Sequence, residues 1–398
     1  MKWQATRLDE LGVLARGRSR HRPRDAAHLY GGPHPFVQTG DIKHAGLYVS
    51  EYSQSYSEAG LEQSKMWPKG TLCITIAANI GDTAILGFDA CFPDSVIGFL
   101  ADETKCDTRF IKYRFDTVKQ QFQQVSQGAA QDNLSMEKLL ALKIEVPPLA
   151  TQLRIASILS AYDDLIENNR RRITLLEQAA RHLYEEWFVR LKFPGHERTR
   201  IVNYVPEGWR KGSAFDAMYV MSGGTPKTTN FDFWDGDIPF YTPKDSVENF
   251  YVLDTEKHLT ELGLNTCNSK LYPKDTVFIT ARGTVGNMNL AQKPMAMNQS
   301  CYALAGREDL TQKFLFCALR AAIQHFQQHA VGAVFDAIIV DTFKLIPFVR
   351  PELRLVHAFT EAIDPMFEKI DNLSQQNQKL RVARDLWLPR LMNGEIAT

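Results

Sequence analysis

A domain-length repeat constrains this chain more than any other feature. Gln63-Ser64-Lys65-Met66-Trp67-Pro68-Lys69-Gly70-Thr71-Leu72-Cys73-Ile74-Thr75 leads to Gly81. Asn268-Ser269-Lys270-Leu271-Tyr272-Pro273-Lys274-Asp275-Thr276-Val277-Phe278-Ile279-Thr280 leads in the same way to Gly286. Pro35-Phe36 answers Pro239-Phe240, Ser95 answers Ser300, and Gly128-Ala129 answers Gly332-Ala333. A period of about 204 residues is too long for a solenoid unit. The repeated object is a whole domain, present twice with most surface side chains changed. Two similar frames with different surfaces suit one molecule that reads two different things.

With 398 residues the chain can bury two or three cores, and 44% hydrophobic and 23% charged residues are ordinary for a globular protein. No run of 18 or more apolar residues offers a membrane span, and Met1-Lys2-Trp3-Gln4-Ala5 lacks the apolar core of a signal peptide. Cys73, Cys91, Cys106, Cys267, Cys301 and Cys317 include no C-x-x-C pair, so reduced thiols and a cytoplasmic location are expected. Net charge is zero, which argues mildly against a simple nucleic-acid binder. The charge is unevenly placed, however. Residues 1–50 hold eight Lys/Arg against four Asp/Glu, whereas 351–372 hold two against five. One face suited to DNA and another suited to protein would have that distribution.

Short strand-like stretches, Thr71–Ile76 and Thr276–Thr280, each follow a Pro-Lys-Gly or Pro-Lys-Asp turn. A helix is expected in each half around 108–125 and 310–329, then an extended stretch ending at Pro147-Pro148 or at Pro347. The pattern is that of mixed α+β domains. After those prolines, Ile155, Leu159, Tyr162, Ile166, Asn169, Ile173, Leu176, Ala180, Leu183 and Trp187 step by 4 and 3. Phe359, Ile363, Met366, Ile370, Leu373, Asn377, Leu380, Arg384, Trp387 and Leu391 repeat the steps 204 residues later (359 − 155). A strict 3.5-residue period calls for a coiled-coil partner; an amphipathic helix lying on its own domain is the plainer alternative. Each segment, about 25–35 residues, would reach roughly 40–50 Å. Asp364-Pro365 has the form of an N-cap and first helical proline, a possible joint, and Pro389 should end the second helix. If the helices pair antiparallel in full register, Asn169 meets Asn377, a polar layer that fixes register.

Glu145-Val146-Pro147-Pro148-Leu149-Ala150-Thr151-Gln152-Leu153-Arg154-Ile155, with Ala161-Tyr162-Asp163-Asp164-Leu165-Ile166-Glu167-Asn168-Asn169-Arg170, resembles the specificity (S) subunits of type I restriction-modification enzymes. Leu183-Tyr184-Glu185-Glu186-Trp187-Phe188, Val205-Pro206-Glu207-Gly208-Trp209, Ser222-Gly223-Gly224-Thr225-Pro226-Lys227 and Trp234-Asp235-Gly236-Asp237-Ile238-Pro239-Phe240 fit the same family. The resemblance covers essentially the whole chain. It implies an α+β fold with two tandem mixed α/β target-recognition domains, at 1–150 and 207–350. Two long antiparallel coiled-coil helices separate them, at 151–193 and within 351–398, with a linker at 194–206 and an internal pseudo-two-fold repeat. It also implies a non-catalytic subunit whose domains each read half of a split, asymmetric double-stranded DNA target. The helices act as a ruler and dock two modification (methyltransferase) subunits, which restriction (motor and nuclease) subunits join. No cofactor is expected in this chain; S-adenosylmethionine, ATP and Mg belong to the partners. The first half departs from the family's entrance pattern, with Ala15-Arg16-Gly17-Arg18-Ser19 in place of Gly-Gly-Thr-Pro. The loop Gly128-Ala129-Ala130-Gln131-Asp132-Asn133-Leu134 becomes Gly332-Ala333-Val334-Phe335-Asp336 in the second half.

Arg or Lys reads guanine and Asn or Gln reads adenine, while Lys, Arg, Ser and Thr take phosphates. The first candidates are therefore Arg16, Arg18, Arg20 and Arg22, which alternate with Gly17, Ser19 and His21, and Gln131 and Asn133. The loop Ala77-Ala78-Asn79-Ile80-Gly81-Asp82 corresponds to Ala281-Arg282-Gly283-Thr284-Val285-Gly286-Asn287. Its unequal tips nominate Asn79, Arg282, Thr284 and Asn287. Lys43, Thr225, Lys227 and Lys244 are candidates for phosphate. Ile166, Asn169, Ile173, Leu176, Leu183, Trp187, Ile370, Leu373, Asn377, Leu380 and Trp387 are the candidate coiled-coil and partner residues. A solvated charge run and a plain hairpin turn are the bland alternatives for the two loops.

No G-x-x-x-x-G-K-[ST] loop, G-x-G-x-x-G after a strand, Asn-Pro-Pro-aromatic motif, H-E-x-x-H or close Cys/His cluster is present. Pro93-Asp94 with Glu103-Thr104-Lys105 has the spacing of a Mg-dependent nuclease core, but the stretch Gln299–Asp309 lacks it. A structural adaptor that binds protein is the remaining alternative.

Overall fold

In the computed structural model, residues 3–77, 79–127, 136–329 and 337–396 are described, with side chains left out at 120–127 and 325–329. The chain forms two compact units, Met1–Glu167 with Gln378–Thr398, and Asn168–Asn377. Each therefore contains one half of the repeat and a piece of both long helices, rather than a consecutive stretch of chain.

The repeated strand lies in the middle of each unit's five-stranded sheet. In the first unit the order is Gly12–Arg16, Val96–Ala101, Leu72–Thr75, Thr83–Leu86, Tyr48–Val49. In the second it is Met218–Ser222, Cys301–Gly306, Val277–Thr280, Met288–Ala291, Tyr251–Val252. Both run antiparallel except for the last pair, which is parallel. Every residue of Leu72–Thr75 and Val277–Thr280 is buried, which is why these segments read as continuous apolar runs without alternation. The turn before each strand needs one left-handed residue. Gly70 (φ 87°) supplies it in one unit and Asp275 (φ 66°) in the other, where the carboxylate accepts the Tyr251 hydroxyl at 2.8 Å. Helices Thr108–Gln127 and Gln312–His329 follow in the expected places. In the second half, extended structure begins at Pro347 (Pro347–Arg350) instead of ending there.

The first long helix runs Leu149–Tyr184 and continues as a π turn, Glu185–Val189; the second runs Leu353–Met392. Pro365 does not interrupt it. Proline removes one backbone donor, but Phe359, Ile363, Phe367 and Ile370 around it are fully buried and hold the helix on its course. Pro389 also lies inside the helix, and its carbonyl still accepts Asn393 N at 2.9 Å.

The helices both pair with each other and lie on their own domains. In the second unit Asn169 Nδ2 donates to Asn377 Oδ1 at 3.0 Å, the layer expected of an antiparallel register. Ile173, Ile370 and Leu373 are buried there in one core with Phe250, Phe314 and Phe316, and Leu176, Leu183 and Trp187 pack against it. Glu177 accepts the Phe250 amide at 2.7 Å, and Asp371 pairs with Lys274 at 2.5 Å beside the left-handed turn. Burial raises the Glu177 carboxyl above its usual range, and the Phe250 N–H partly offsets that. In the first unit Ile155 and Leu159 share a core with Phe110, Ile144 and Leu391. Ile166 is buried and Leu380 half-buried. Trp387 departs from the expected seam and is 40% exposed. Leu388 packs on the first unit's core instead, and Arg384, one turn before it, donates to Asp163.

Replacing Asn169 and Asn377 together by Leu should raise the melting temperature while loosening the register. Cysteine cross-linking between the helices should then yield more than one register. A stabilised protein with a single register would remove the specifying role from this layer.

Candidate nucleic-acid interface

The two tips stand on the same hydroxyl clasp. Thr75 Oγ1 donates to the Asn79 carbonyl and accepts Asp82 N at 3.0 Å. Thr280 Oγ1 donates to the Thr284 carbonyl and accepts Asn287 N at 3.1 Å. Backbone bonds repeat as well, Gly81 N to Thr75 O and Gly286 N to Thr280 O. The mount is fixed by these internal bonds, so the side chains at the tip can change without altering the loop. Asn79 is half-buried; Arg282, Thr284 and Asn287 are exposed.

The entrance strand also follows one plan despite its changed sequence. Arg18 N donates to Phe92 O at 3.0 Å, and Gly224 N to Met297 O at 3.2 Å. A Cβ on Gly17 would come within 2.3 Å of Phe92 O, and one on Gly223 within 2.4 Å of Met297 O. At Gly224 a Cβ would lie 2.7 Å from Asn268 N, so the chain closes that space directly. Arg18 fills the corresponding space with its side chain, whose guanidinium donates to the Ser64 carbonyl while Ser64 Oγ donates back to Arg18 O at 2.7 Å.

The arginine run is thereby divided by role. Arg18 is bonded inward, Arg22 donates to the carbonyls of Ser19 and His21, and Arg24 holds Asp94 at 2.8 Å. Arg16 and Arg20 are exposed, and among the described residues no hydrogen bond or ion pair engages their guanidinium groups. The Arg24 contact occupies the carboxylate that a nuclease centre would give to a metal, and Lys105 is paired with Asp102. Among the described residues no cluster of His, Cys, Asp and Glu could hold a metal ion. Gln131 and Asn133 lie outside the described residues.

In the second unit Thr225, Lys244 and Arg282 line one cavity of ≈ 410 Å³. Trp234, Phe240 and Lys257 line it too, with the Lys257 ammonium 5.5 Å from the Trp234 ring centre. The Asp245 carboxylate is taken up by main-chain donors, accepting the amides of Thr242 and Glu256. Lys227 is exposed, and its carbonyl accepts Trp234 Nε1 at 3.5 Å. Asn287 faces a different cleft of ≈ 310 Å³ with Arg320 and Gln324. Lys43 lines the matching cleft of the first unit, ≈ 140 Å³, beside Asp82, Lys112, Asp116 and Lys119. Two ion pairs, Lys119–Asp82 and Lys112–Asp116, fill that one. The sequence pattern passed over Lys257 and Arg320, because neither stands in the repeated loop.

All six cysteines are free, and burial pushes the thiols of Cys106, Cys301 and Cys317 up to about 12. No helix among the described residues is long and apolar enough to cross a membrane.

The family model of the type I restriction modification DNA specificity domain matches residues 1–178 and again 206–381. The type I restriction enzyme MjaIX specificity subunit of Methanocaldococcus jannaschii is 24% identical, over 99% of this chain and 93% of that protein. The type I restriction enzyme HindI specificity subunit of Haemophilus influenzae is 24% identical, over 66% of this chain and 71% of its own length. The crystal structure of a type I restriction-modification system S subunit from M. genitalium superposes with a TM-score of 0.61 at 16% identity, covering 98% of this chain and 96% of that one. At that identity the last likeness is one of fold.

Proposed function

The chain belongs to the type I restriction modification DNA specificity family, and from that premise we propose that it reads a split, asymmetric double-stranded DNA target, one half with each unit. The observation that carries this is the pair of identical Thr75 and Thr280 clasps beneath unlike tips. One mount with two sets of side chains suits two different half-sites. Arg282 and Asn79 have the chemistry to read base edges; Thr225, Lys227, Lys244 and Arg20 suit the phosphates. The chain itself is non-catalytic in this proposal. S-adenosylmethionine, ATP and Mg would be bound by two modification subunits and the restriction subunits. The outward apolar side chains of the helices, Leu165, Val382 and Leu386 in the first unit and Leu175 in the second, are surfaces for the modification subunits.

Sequencing methylated adenines in cells with and without this gene tests the proposal. One bipartite, asymmetric motif should lose its methylation when the gene is deleted. An unchanged pattern, or DNA binding that ignores salt, would favour a protein-binding adaptor.

A further inference from the structure

Residues 201–206 form a two-residue hairpin, Ile201–Val202 paired with Val205–Pro206. Both turn residues are left-handed, Asn203 at φ 50° and Tyr204 at φ 64°. Asn-Gly is the favoured pair for such a turn, because glycine alone enters the second position without strain. Here a tyrosine occupies it, 93% exposed, with Ile201 and Val202 exposed at 52% and 43%. The ring adds nothing to the fold, and glycine would fit the backbone better. A strained aromatic kept in solvent points to a role outside the folded chain.

The surroundings indicate the kind of partner. Arg198, Arg200 and Lys211 are exposed; Arg200 O accepts Glu207 N at the base of the hairpin, and Lys211 Nζ donates to Asn203 O at its tip. Residues 196–211 carry four Lys/Arg against two Asp/Glu. Tyr and Arg are the residue types that anchor protein interfaces. The exposed aliphatic pair suits a protein pocket better than a phosphate backbone. All but Pro206 of the hairpin falls in 179–205, between the two stretches that match the family model, and among the described residues such a hairpin occurs once.

We infer that the hairpin docks one modification subunit, through a pocket on that subunit that is apolar in the middle and edged by carboxylates. The inference rests on the proposed function and adds an asymmetry to it: of two otherwise alike subunits, only one is held here. A photoreactive p-benzoylphenylalanine at position 204, in the chain assembled with modification subunits and target duplex, should cross-link one modification subunit per chain. Tyr204→Gly should keep or raise the melting temperature and weaken assembly at least tenfold, while half-site selectivity persists. Cross-linking to DNA, to a second copy of this chain or to nothing overturns the inference and leaves the half-site reading intact. Failure of the unmodified chain to bind modification subunits at all overturns both.

Discussion

Arg384→Ala is expected to destabilise the first unit by about 3–5 kcal/mol, because it strands a buried carboxylate. Asp163 is 7% exposed and accepts the Tyr113 hydroxyl and the Arg384 guanidinium, each at 2.5 Å. Burial and the neighbouring carboxylate hold the Tyr113 phenol far above its usual pKa, so it stays a donor, and Asp163 keeps the Arg384 guanidinium charged. The positions 204 residues away are Cys317, Phe367 and Ala180, all buried and apolar. The same site is thus ionic in one unit and apolar in the other. A buried ion pair is seldom more stable than a well-packed apolar replacement, whereas half of one is costly. The graft Tyr113→Cys, Asp163→Phe, Arg384→Ala should therefore recover most of what Arg384→Ala loses. Urea unfolding of the full chain, with amide exchange over 136–167 reporting on the first unit, measures both. A loss below about 1 kcal/mol for Arg384→Ala, the size of an exposed pair, or a graft no better than the single change, would sink this account.

The duplicated frame was legible because its strands are buried on both faces and its turns have steric requirements. Thr71–Ile76 and Thr276–Thr280 could vary little, so the alignment survived. The heptads were legible for the same reason, down to the Asn169–Asn377 layer. Periodicity could not show that the helices also serve as core elements of the domains they join. That double burial carries the second helix through Pro365 and turns Trp387 outward. Nor could composition sort the arginines. Arg18 reads like Arg16 and Arg20, yet it fills the space that Gly224 leaves to Asn268 in the other unit. Only the comparison of two folded copies separates a structural cation from an available one.

That comparison singles out Arg282, and Arg282→Ala is expected to remove discrimination at one base pair of one half-site. Its side chain is exposed, and among the described residues no hydrogen bond or ion pair engages it. The loop beneath it is tied by Thr280, whose hydroxyl bonds do not involve position 282, so the substitution leaves the mount in place. The corresponding residue of the first unit is Ala77, so the other half-site should be untouched. A bidentate arginine–guanine contact contributes about 1–3 kcal/mol of discrimination, or roughly 5- to 150-fold. Binding to a duplex series changed one base pair at a time, with the modification subunits present, measures it. The preference for guanine at a single position should collapse by that factor, with the salt dependence barely altered. A uniform loss over all duplexes, with a salt slope lower by about 1, would make Arg282 a phosphate contact instead. Lys244→Ala supplies the contrast within the same cavity. Its effect should be the uniform, salt-dependent one, because an ammonium on a flexible stem binds phosphate as a point charge.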